Sequence, residues 1–318
     1  MKQMDKPGLG KKVSLISAPL GYGAGKAGSE LGADAMRLAN VRGRGLTDMI
    51  RELGYDTDDR GSVEIIRPSA PAPASANPRY LEESLRSFEN IADSVFSSLA
   101  DERIPIILGG DHSIAIGSVS GISRYFRERG ESFGLIWFDA HADINTPETS
   151  PSGNIHGMPL AAILGHGNAE LTGIGGFSPK LDPQYFAHVG ARDVDEGERS
   201  RIHSLGLRDN FFTMSDIDKF GMLECINKAI DIASKATGGY AVTFDVDMID
   251  PRFAPGSGTL VRGGATYREA HLALEVVAER GGMRSFEIVE VNPMLDQSNI
   301  TVELGCELIL SALGKTIL

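Results

Sequence analysis

The chain has 318 residues, of which 42% are hydrophobic and 23% are charged, as is typical of a globular protein with a sizeable core. Its formal net charge of −12 argues against a nucleic-acid partner, which requires basic patches, and favours a cationic substrate. The sequence has no apolar run near the roughly 20 residues that cross a bilayer, no signal-peptide core in residues 1–12 and only two cysteines, so we expect a cytoplasmic protein with free thiols and no membrane partner.

Apolar runs alternate with amphipathic segments along the chain, and this alternation predicts an α/β fold. The predicted strands are residues 13–18, 104–108, 134–138, 185–189, 241–244 and 286–291. The predicted helices are residues 33–53 (broken near Gly43 and Gly45), 80–100, 113–129, 158–164, 223–236, a segment that begins after Thr266, and 302–313. We therefore expect a single three-layer domain over residues 1–318, with a central parallel β-sheet flanked by helices.

Two connecting segments allow other interpretations. Glycines at positions 21, 23 and 25 follow the first predicted strand, but no Walker lysine-serine pair follows them, so a phosphate site is only weakly indicated. Residues 68–78 contain four prolines, which is typical of an extended surface loop. We interpret this segment as a connection within the domain and not as a domain boundary.

Acidic and imidazole side chains follow three of the predicted strands. They are His112 after residues 104–108, Asp139, His141 and Asp143 after residues 134–138, and Asp245 and Asp247 after residues 241–244. Because side chains alternate along an extended backbone, we expect the members of each set to point the same way. Sites form at the carboxyl ends of parallel strands, and buried carboxylates are costly unless they are paired or bind metal. Solvated strand ends are the alternative, but carboxylates with fewer imidazoles suit a two-metal Mn²⁺ site.

Seven blocks of sequence resemble the ureohydrolases, the family that includes arginases, agmatinases and formimidoylglutamases. The blocks are GGDHS (109–113), DAHAD (139–143), NTPETSPSGNIHG (145–157), RDVDEGE (192–198), FDVD (244–247), GGATYRE (263–269) and EVNP (290–293). They span most of the chain in order. The block at 145–157 resembles arginases in particular.

The resemblance implies manganese-dependent hydrolysis of the guanidinium group of L-arginine to L-ornithine and urea by a metal-bridging hydroxide. Two Mn²⁺ per subunit would be bound by His112, Asp139, His141, Asp143, Asp245 and Asp247. Asp143 would also accept a hydrogen bond from the hydroxide, and His156 would transfer a proton to the leaving amine, since imidazole titrates near neutral pH. Family analogy also implies a homo-oligomer, either a trimer or a hexamer.

The resemblance further implies a set of substrate-binding residues. They are Asn145, Ser150, Ser152 and Asn154 for the α-carboxylate, Asp195 for the ammonium group, Glu198 and Thr259 beside them, and Glu290 for the guanidinium group. A carboxylate such as Glu290 can pair with the planar guanidinium group through two hydrogen bonds. For each loop residue taken singly, turn formation is the alternative role.

Three departures from the arginase pattern bear on the substrate. Ser150 stands where many arginases have threonine, Met248 stands where they usually have glycine, and residues 254–259 resemble agmatinases equally well. An agmatinase, or a ureohydrolase acting on another guanidino acid, therefore stays open as an alternative. A non-catalytic assembly protein and a metal-dependent deacetylase are more remote, because the ligand set is complete and a catalytic His-His pair is missing from the sequence.

Overall fold

A central sheet organises the computed structural model, which describes residues 6–317. Within that range all strand pairs of the sheet are parallel, in the order β2-β1-β3-β8-β7-β4-β5-β6. The strands are β1 (Lys12–Ala18), β2 (Asp56–Ser62), β3 (Ile104–Gly109), β4 (Gly134–Phe138), β5 (Phe186–Val189), β6 (Phe211–Phe212), β7 (Tyr240–Asp245) and β8 (Met283–Val289).

Helices connect the strands and cover both faces of the sheet. The α-helices are α1 (Gly32–Leu38), α2 (Leu46–Glu52), α3 (Leu81–Ala100), α4 (Ala115–Glu128), α5 (Pro159–Ile163), α6 (Ala169–Thr172), α7 (Glu196–Ser204), α8 (Met214–Phe220), α9 (Met222–Ala233), α10 (Tyr267–Arg280) and α11 (Ile300–Ala312). The predicted fold class, a parallel sheet between helical layers, is confirmed.

Strand β4 shows how the core is divided between the two faces. Leu135 and Trp137 belong to the apolar cluster that includes residues of α3 and α4. Ile136 and Phe138 belong to the opposite cluster, which includes residues of α10 and α11. Both faces are buried, as an all-parallel sheet requires, and this explains the unbroken apolar sequence of the strand.

Two predictions about where helices break or begin are confirmed. The segment predicted as a helix over residues 33–53 is divided into α1 and α2, with the break at residues 39–45 that contains the two glycines. Thr266 and Glu269 form a reciprocal capping box at the start of α10. Within residues 6–317, none of the helices has the length and apolar character needed to span a bilayer.

The sequence prediction missed β2, β6, α6, α7 and α8. Strand β2 reads DTDDRGS and has no apolar run, because it is an edge strand that pairs only with β1. Helices α7 and α8 each begin with a reciprocal capping box, at Asp195 and Thr213 respectively. The capping-box pattern, a capping residue followed three positions later by an acidic residue, was readable in the sequence. Strand β2, in contrast, is held by backbone pairing that its side chains do not indicate.

Candidate active site

The six predicted metal ligands lie at the carboxyl edge of neighbouring central strands. His112 begins the turn after β3, Asp139 follows β4, and Asp245 is the last residue of β7. These strands, together with β8, occupy the middle of the sheet in the order β3-β8-β7-β4. Parallel strands bring their carboxyl ends to one edge, so ligands far apart in sequence meet there.

Turns, and not strand alternation, bring the ligands of each motif together, so this part of the sequence prediction is wrong. Strand β4 ends at Phe138, and Asp143 has the left-handed φ of 52°. The backbone N–H of His141 donates to Asp139 Oδ1 at 2.7 Å, and that of Asp247 donates to Asp245 Oδ1 at 2.8 Å. These side chain-to-backbone bonds turn the chain and direct the neighbouring carboxylates inward.

A first group of ligand atoms surrounds His112. Its Nδ1 lies 3.0 Å from Asp139 Oδ2, 3.2 Å from Asp143 Oδ2 and 3.3 Å from Asp245 Oδ2. His112 is fully buried, and the three carboxylates are also buried. One imidazole and three carboxylate oxygens thus point at one small volume.

A second group adjoins the first and shares Asp139 with it. His141 Nδ1 lies 3.4 Å from Asp139 Oδ1 and 3.0 Å from Asp247 Oδ2. His112, Asp139 and Asp143 have the separations of a cation site, and so do Asp139, His141 and Asp247. The arrangement therefore offers two adjacent cation positions with Asp139 between them.

The electrostatics of the cluster fit bound cations. His112 Nδ1 is buried without a well-aligned hydrogen-bond partner among residues 6–317. Burial lowers the pKa of His112, but the three carboxylates close to its Nδ1 outweigh burial and hold this pKa well above its usual value. Four buried carboxylates need compensating positive charge, and two divalent ions would supply it. Oxygen and imidazole donors without thiolate suit Mn²⁺.

Further residues that the sequence analysis did not assign support the ligands. Trp137 Nε1–H donates to Asp139 Oδ2 at 3.0 Å, and its ring stacks on His112 with centroids 4.1 Å apart. Arg192 Nη2 donates to the carbonyls of Asp247 at 2.6 Å and Val261 at 2.7 Å. Trp137 lies on β4, two residues before Asp139, and this spacing is a signal that the sequence contained. The Arg192 contacts depend on loop geometry and were not readable.

A cavity of about 310 Å³ opens onto the ligand cluster. Its lining includes the predicted site residues His141, Asp143, Asn145, Ser150, Ser152, His156, Asp195, Glu198, Asp245 and Thr259. Among the described residues predicted for the substrate, Asn154 and Glu290 lie outside this lining. Most of the predicted set is therefore gathered around one open space of small-molecule size.

Several of these cavity residues also hold the surrounding loops in place. Asp195 caps α7 by accepting from the Glu198 N–H at 2.9 Å, and its other oxygen accepts from Asn145 Nδ2 at 2.7 Å. Ser150 Oγ accepts from the Gly153 N–H at 3.0 Å, and Ser152 Oγ accepts from the Asn154 N–H at 3.2 Å. The turn-forming role considered for these residues is thus present together with their position in the cavity wall.

Thr259 connects the cavity wall to the ligand cluster. Its hydroxyl donates to Asp247 Oδ2 at 2.9 Å. Met248, one of the departures from the arginase pattern, is fully buried, and its side chain lies against Gly190. The methionine therefore packs into the core and does not narrow the cavity.

His156, which is half-buried, pairs with the buried carboxylate of Glu290 beside the cluster. His156 Nδ1 lies 3.2 Å from Glu290 Oε1, which also accepts from the His112 N–H at 3.0 Å. Burial lowers the pKa of His156, but the Glu290 bond and charge, with smaller contributions from Asp143 and Asp111, raise this pKa to about 9. His156 therefore carries a proton at neutral pH, and Glu290 contacts this imidazole behind the cavity lining.

We expect Mn²⁺ affinity to rise steeply with pH. The pKa of His112 and that of His141 are raised by the carboxylates around them, and burial with the Asp139 charge raises the pKa of Asp143 to about 6. Protons on these groups compete with the metal, so affinity falls as pH decreases. Calorimetry in buffers of different ionisation enthalpy measures the released protons. Equal affinity at pH 6 and pH 8 without proton release would contradict this expectation.

Comparisons with known proteins agree with the motifs and the geometry. The sequence model described as Arginase family matches residues 11–314. The arginase of Brevibacillus brevis is 41% identical over 310 residues, which cover 98% of this chain and 100% of that protein. The arginase structure from Bacillus caldovelox is 40% identical, with a TM-score of 0.90 over 97% of this chain and 100% of that one. The Entamoeba histolytica arginase, crystallised with L-ornithine, is 30% identical, with a TM-score of 0.84 over 96% and 99% of the two chains. By sequence over nearly its whole length and by fold, this chain belongs to the arginase family.

Proposed function

We propose that this protein hydrolyses the guanidinium group of L-arginine, giving L-ornithine and urea, with two Mn²⁺ per chain. The observation that carries the proposal is the pair of adjacent cation positions that share Asp139 at the carboxyl edge of the sheet. The metal ligands in this proposal are His112, Asp139, His141, Asp143, Asp245 and Asp247. When bound, the two ions supply Lewis acidity, which lowers the pKa of water and offsets negative charge that develops on the substrate.

The protein's own groups manage the proton transfers of the reaction. Water adds to the guanidinium carbon, and the bond from this carbon to the side-chain nitrogen breaks. The two protons that water gives up as the carbonyl group of urea forms are balanced by the two that the leaving nitrogen gains on becoming an ammonium group. The carboxylate of Asp143 lines the cavity and accepts a hydrogen bond from the attacking water. His156, protonated at neutral pH and also in the lining, donates the proton to the amine. Glu290 orients the His156 imidazole and supports its charge, in addition to its proposed attraction for the guanidinium group.

The polar wall of the cavity provides the proposed recognition of an amino acid. Asn145, Ser150 and Ser152 of this wall, together with Asn154 on the adjoining loop, bind the α-carboxylate, and Asp195, with Glu198 and Thr259 nearby, binds the ammonium group. The roughly 310 Å³ of the cavity suits a substrate of this size. The relative from Entamoeba histolytica was crystallised with L-ornithine, the product of the proposed reaction, which supports a basic amino acid as the ligand.

We expect a preference for L-arginine over agmatine of at least about 10²-fold in kcat/KM, since agmatine lacks only the α-carboxylate. Buried polar groups left unpaired can discriminate by about 10⁴-fold, and water in an open cavity reduces that figure. Asn154→Ala is expected to narrow the preference by impairing arginine turnover, whereas Glu148→Ala, on an exposed position of the same loop, is expected to leave it unchanged.

Urea release from both substrates under identical conditions with Mn²⁺ measures this preference. Equal rates, or faster turnover of agmatine, would overturn the arginine assignment. That outcome would favour the agmatinase alternative, for which the resemblance of residues 254–259 is the specific observation.

The remaining proposals concern the protein as a whole. We propose a single ureohydrolase domain over residues 1–318, supported by one sheet whose strands extend from Lys12 to Val289. A cytoplasmic location is supported by the free, buried thiols of Cys225 and Cys306. A homotrimer or homohexamer rests on family analogy, and sedimentation of a monomer at all concentrations would refute it.

A further inference from the structure

A line of three buried side chains lies behind the first cation position. His112 Nε2, the ring nitrogen that faces away from the carboxylates, lies 3.0 Å from Thr243 Oγ1. The Thr243 hydroxyl in turn donates to Glu287 Oε1 at 2.9 Å. The three residues are 0%, 1% and 3% exposed, so bulk water does not substitute for these partners.

With Glu287 ionised, and therefore able only to accept, the hydrogen bonds along this line determine which ring nitrogen of His112 carries the proton. A threonine hydroxyl has one hydrogen, and Thr243 gives it to Glu287. The Thr243 oxygen is then left as an acceptor, so its contact with the imidazole requires a proton on His112 Nε2. In the neutral ring this leaves the lone pair on Nδ1, the atom that faces the Oδ2 atoms of Asp139, Asp143 and Asp245.

The presence of a carboxylate at position 287 is not explained by packing. Strand β8 lies between β3 and β7 in the interior of the sheet, and Glu287 pairs directly with Thr243 across β7 and β8. Burying a carboxyl group there is costly, and an apolar side chain would fill the space at lower cost. Side-chain hydrogen bonds from Ser118 and Thr243 offset only part of this cost, because burial outweighs them and raises the pKa of Glu287 above its usual value.

We propose that Glu287 is a positioning residue for the metal centre, because by accepting the Thr243 hydrogen it holds His112 in the tautomer that presents Nδ1 to a cation. This inference rests on the proposed function, which supplies the metal. Outer partners of a ligating histidine commonly fix its tautomer and orientation in this way, and their loss weakens metal binding by about 10- to 100-fold.

The two cation positions differ in the residues that lie behind their histidine ligands, so the proposal predicts that loss of Glu287 affects one ion and not the other. The outward nitrogen of His141, Nε2, lies 3.9 Å from Asp193 Oδ2, and the Asp193 side chain is 67% exposed. Loss of Glu287 therefore affects the ion at His112 and spares the ion at His141.

The test compares Glu287→Met with Glu287→Gln. Methionine removes the acceptor, which frees the Thr243 hydroxyl to donate to His112 Nε2 and allows the opposite tautomer. Glutamine removes the charge but retains an oxygen that accepts from Thr243. Ser285→Ala is the matched control, since Ser285 is a buried polar residue two positions earlier on the same strand and its hydroxyl donates to the Pro105 carbonyl.

Mn²⁺ binding to each full-length variant is measured by competition with a chelator, with the unfolding midpoint of the metal-free protein recorded alongside. We expect Glu287→Met to weaken one of the two ions by about 10- to 100-fold and to leave the other unchanged. Glu287→Gln and Ser285→Ala are expected to bind both ions as the wild type does. If Glu287→Met fails to fold, Thr243→Val replaces it, with Thr243→Ser as the variant that retains the hydroxyl.

Three results would overturn the proposed role of Glu287. Glu287→Met could bind both ions with wild-type affinity, it could bind both ions with equally weakened affinity, or Glu287→Gln could weaken Mn²⁺ binding as much as Glu287→Met does. Those results leave the proposed function standing. A wild-type protein that binds no Mn²⁺ would overturn the proposed function and this inference together.

Discussion

Replacing Asp245 by asparagine is expected to prevent normal metal loading and to lower activity by more than about 100-fold, which exceeds the usual effect of losing an outer partner of a ligand. Asp245 Oδ2 lies 3.3 Å from His112 Nδ1, and its Oδ1 accepts from the Asp247 N–H. Asparagine keeps the shape and the amide oxygen that accepts this bond. The change therefore removes charge from the ligand cluster while preserving the turn.

The same substitution has an opposite effect on the metal-free protein. Burial and the nearby charges of Asp247 and Asp139 raise the pKa of Asp245 well above its usual value, so its carboxylate is unfavourable in the folded state without metal. We expect the metal-free unfolding midpoint of Asp245→Asn to equal or exceed that of the wild type, while the increase produced by Mn²⁺ becomes smaller.

Asp250→Asn is the matched control for this experiment. Bonds from Arg252 and from the Gly263 N–H outweigh burial and lower the pKa of Asp250 to about 2, so its carboxylate stabilises the fold. The control is expected to lower the unfolding midpoint and to retain Mn²⁺ binding. If Asp245→Asn retained wild-type activity and metal content, Asp245 would be excluded as a ligand.

Replacing His156 by asparagine is expected to lower kcat by about 10²- to 10⁴-fold with little change in KM, which is the usual range for loss of a positioned general acid. The raised pKa of His156, about 9, keeps the imidazole protonated and able to donate at neutral pH. Because the acid form is required, wild-type activity is expected to fall as pH rises through about 9. His156→Asn is expected to lack this decrease at high pH.

A pH-rate profile of kcat for wild type and His156→Asn measures both effects. His203→Asn, at an exposed position of α7, is the control and is expected to match the wild type. A variant that kept more than a tenth of wild-type kcat, or kept the decrease above pH 9, would show that another group supplies the proton.

The convergence of the metal ligands was predictable from sequence, because a parallel sheet brings the carboxyl ends of its strands together. The expected cause of convergence within each motif, which was side-chain alternation along a strand, was wrong. Asp139, His141 and Asp143 were expected to share a strand face, whereas the strand ends at Phe138 and Asp143 adopts a left-handed backbone. Such turns depend on bonds between particular side chains and backbone groups, which periodicity does not encode.

Residues that act through the tertiary structure were the least predictable. Glu287 and Thr243 looked like interior positions of apolar strands, and their contact exists only because β7 and β8 are neighbours in the sheet. Glu290 was interpreted as a strand-end carboxylate, but its Oε1 also accepts from the His112 N–H. Strand β2 was not predicted because its sequence is polar. It can be polar because it lies at the edge of the sheet, where a strand does not need apolar side chains on both faces.

Urea release from L-arginine as a function of bound Mn²⁺ tests the central claim most directly. The wild-type protein is stripped of metal and reloaded to between zero and two ions per chain, and urea and ornithine are measured at each step. The proposed function predicts negligible urea without metal, maximal rate at two ions, and one ornithine for each urea. Full activity in the thoroughly stripped protein, or no urea from arginine at two ions per chain, would contradict it.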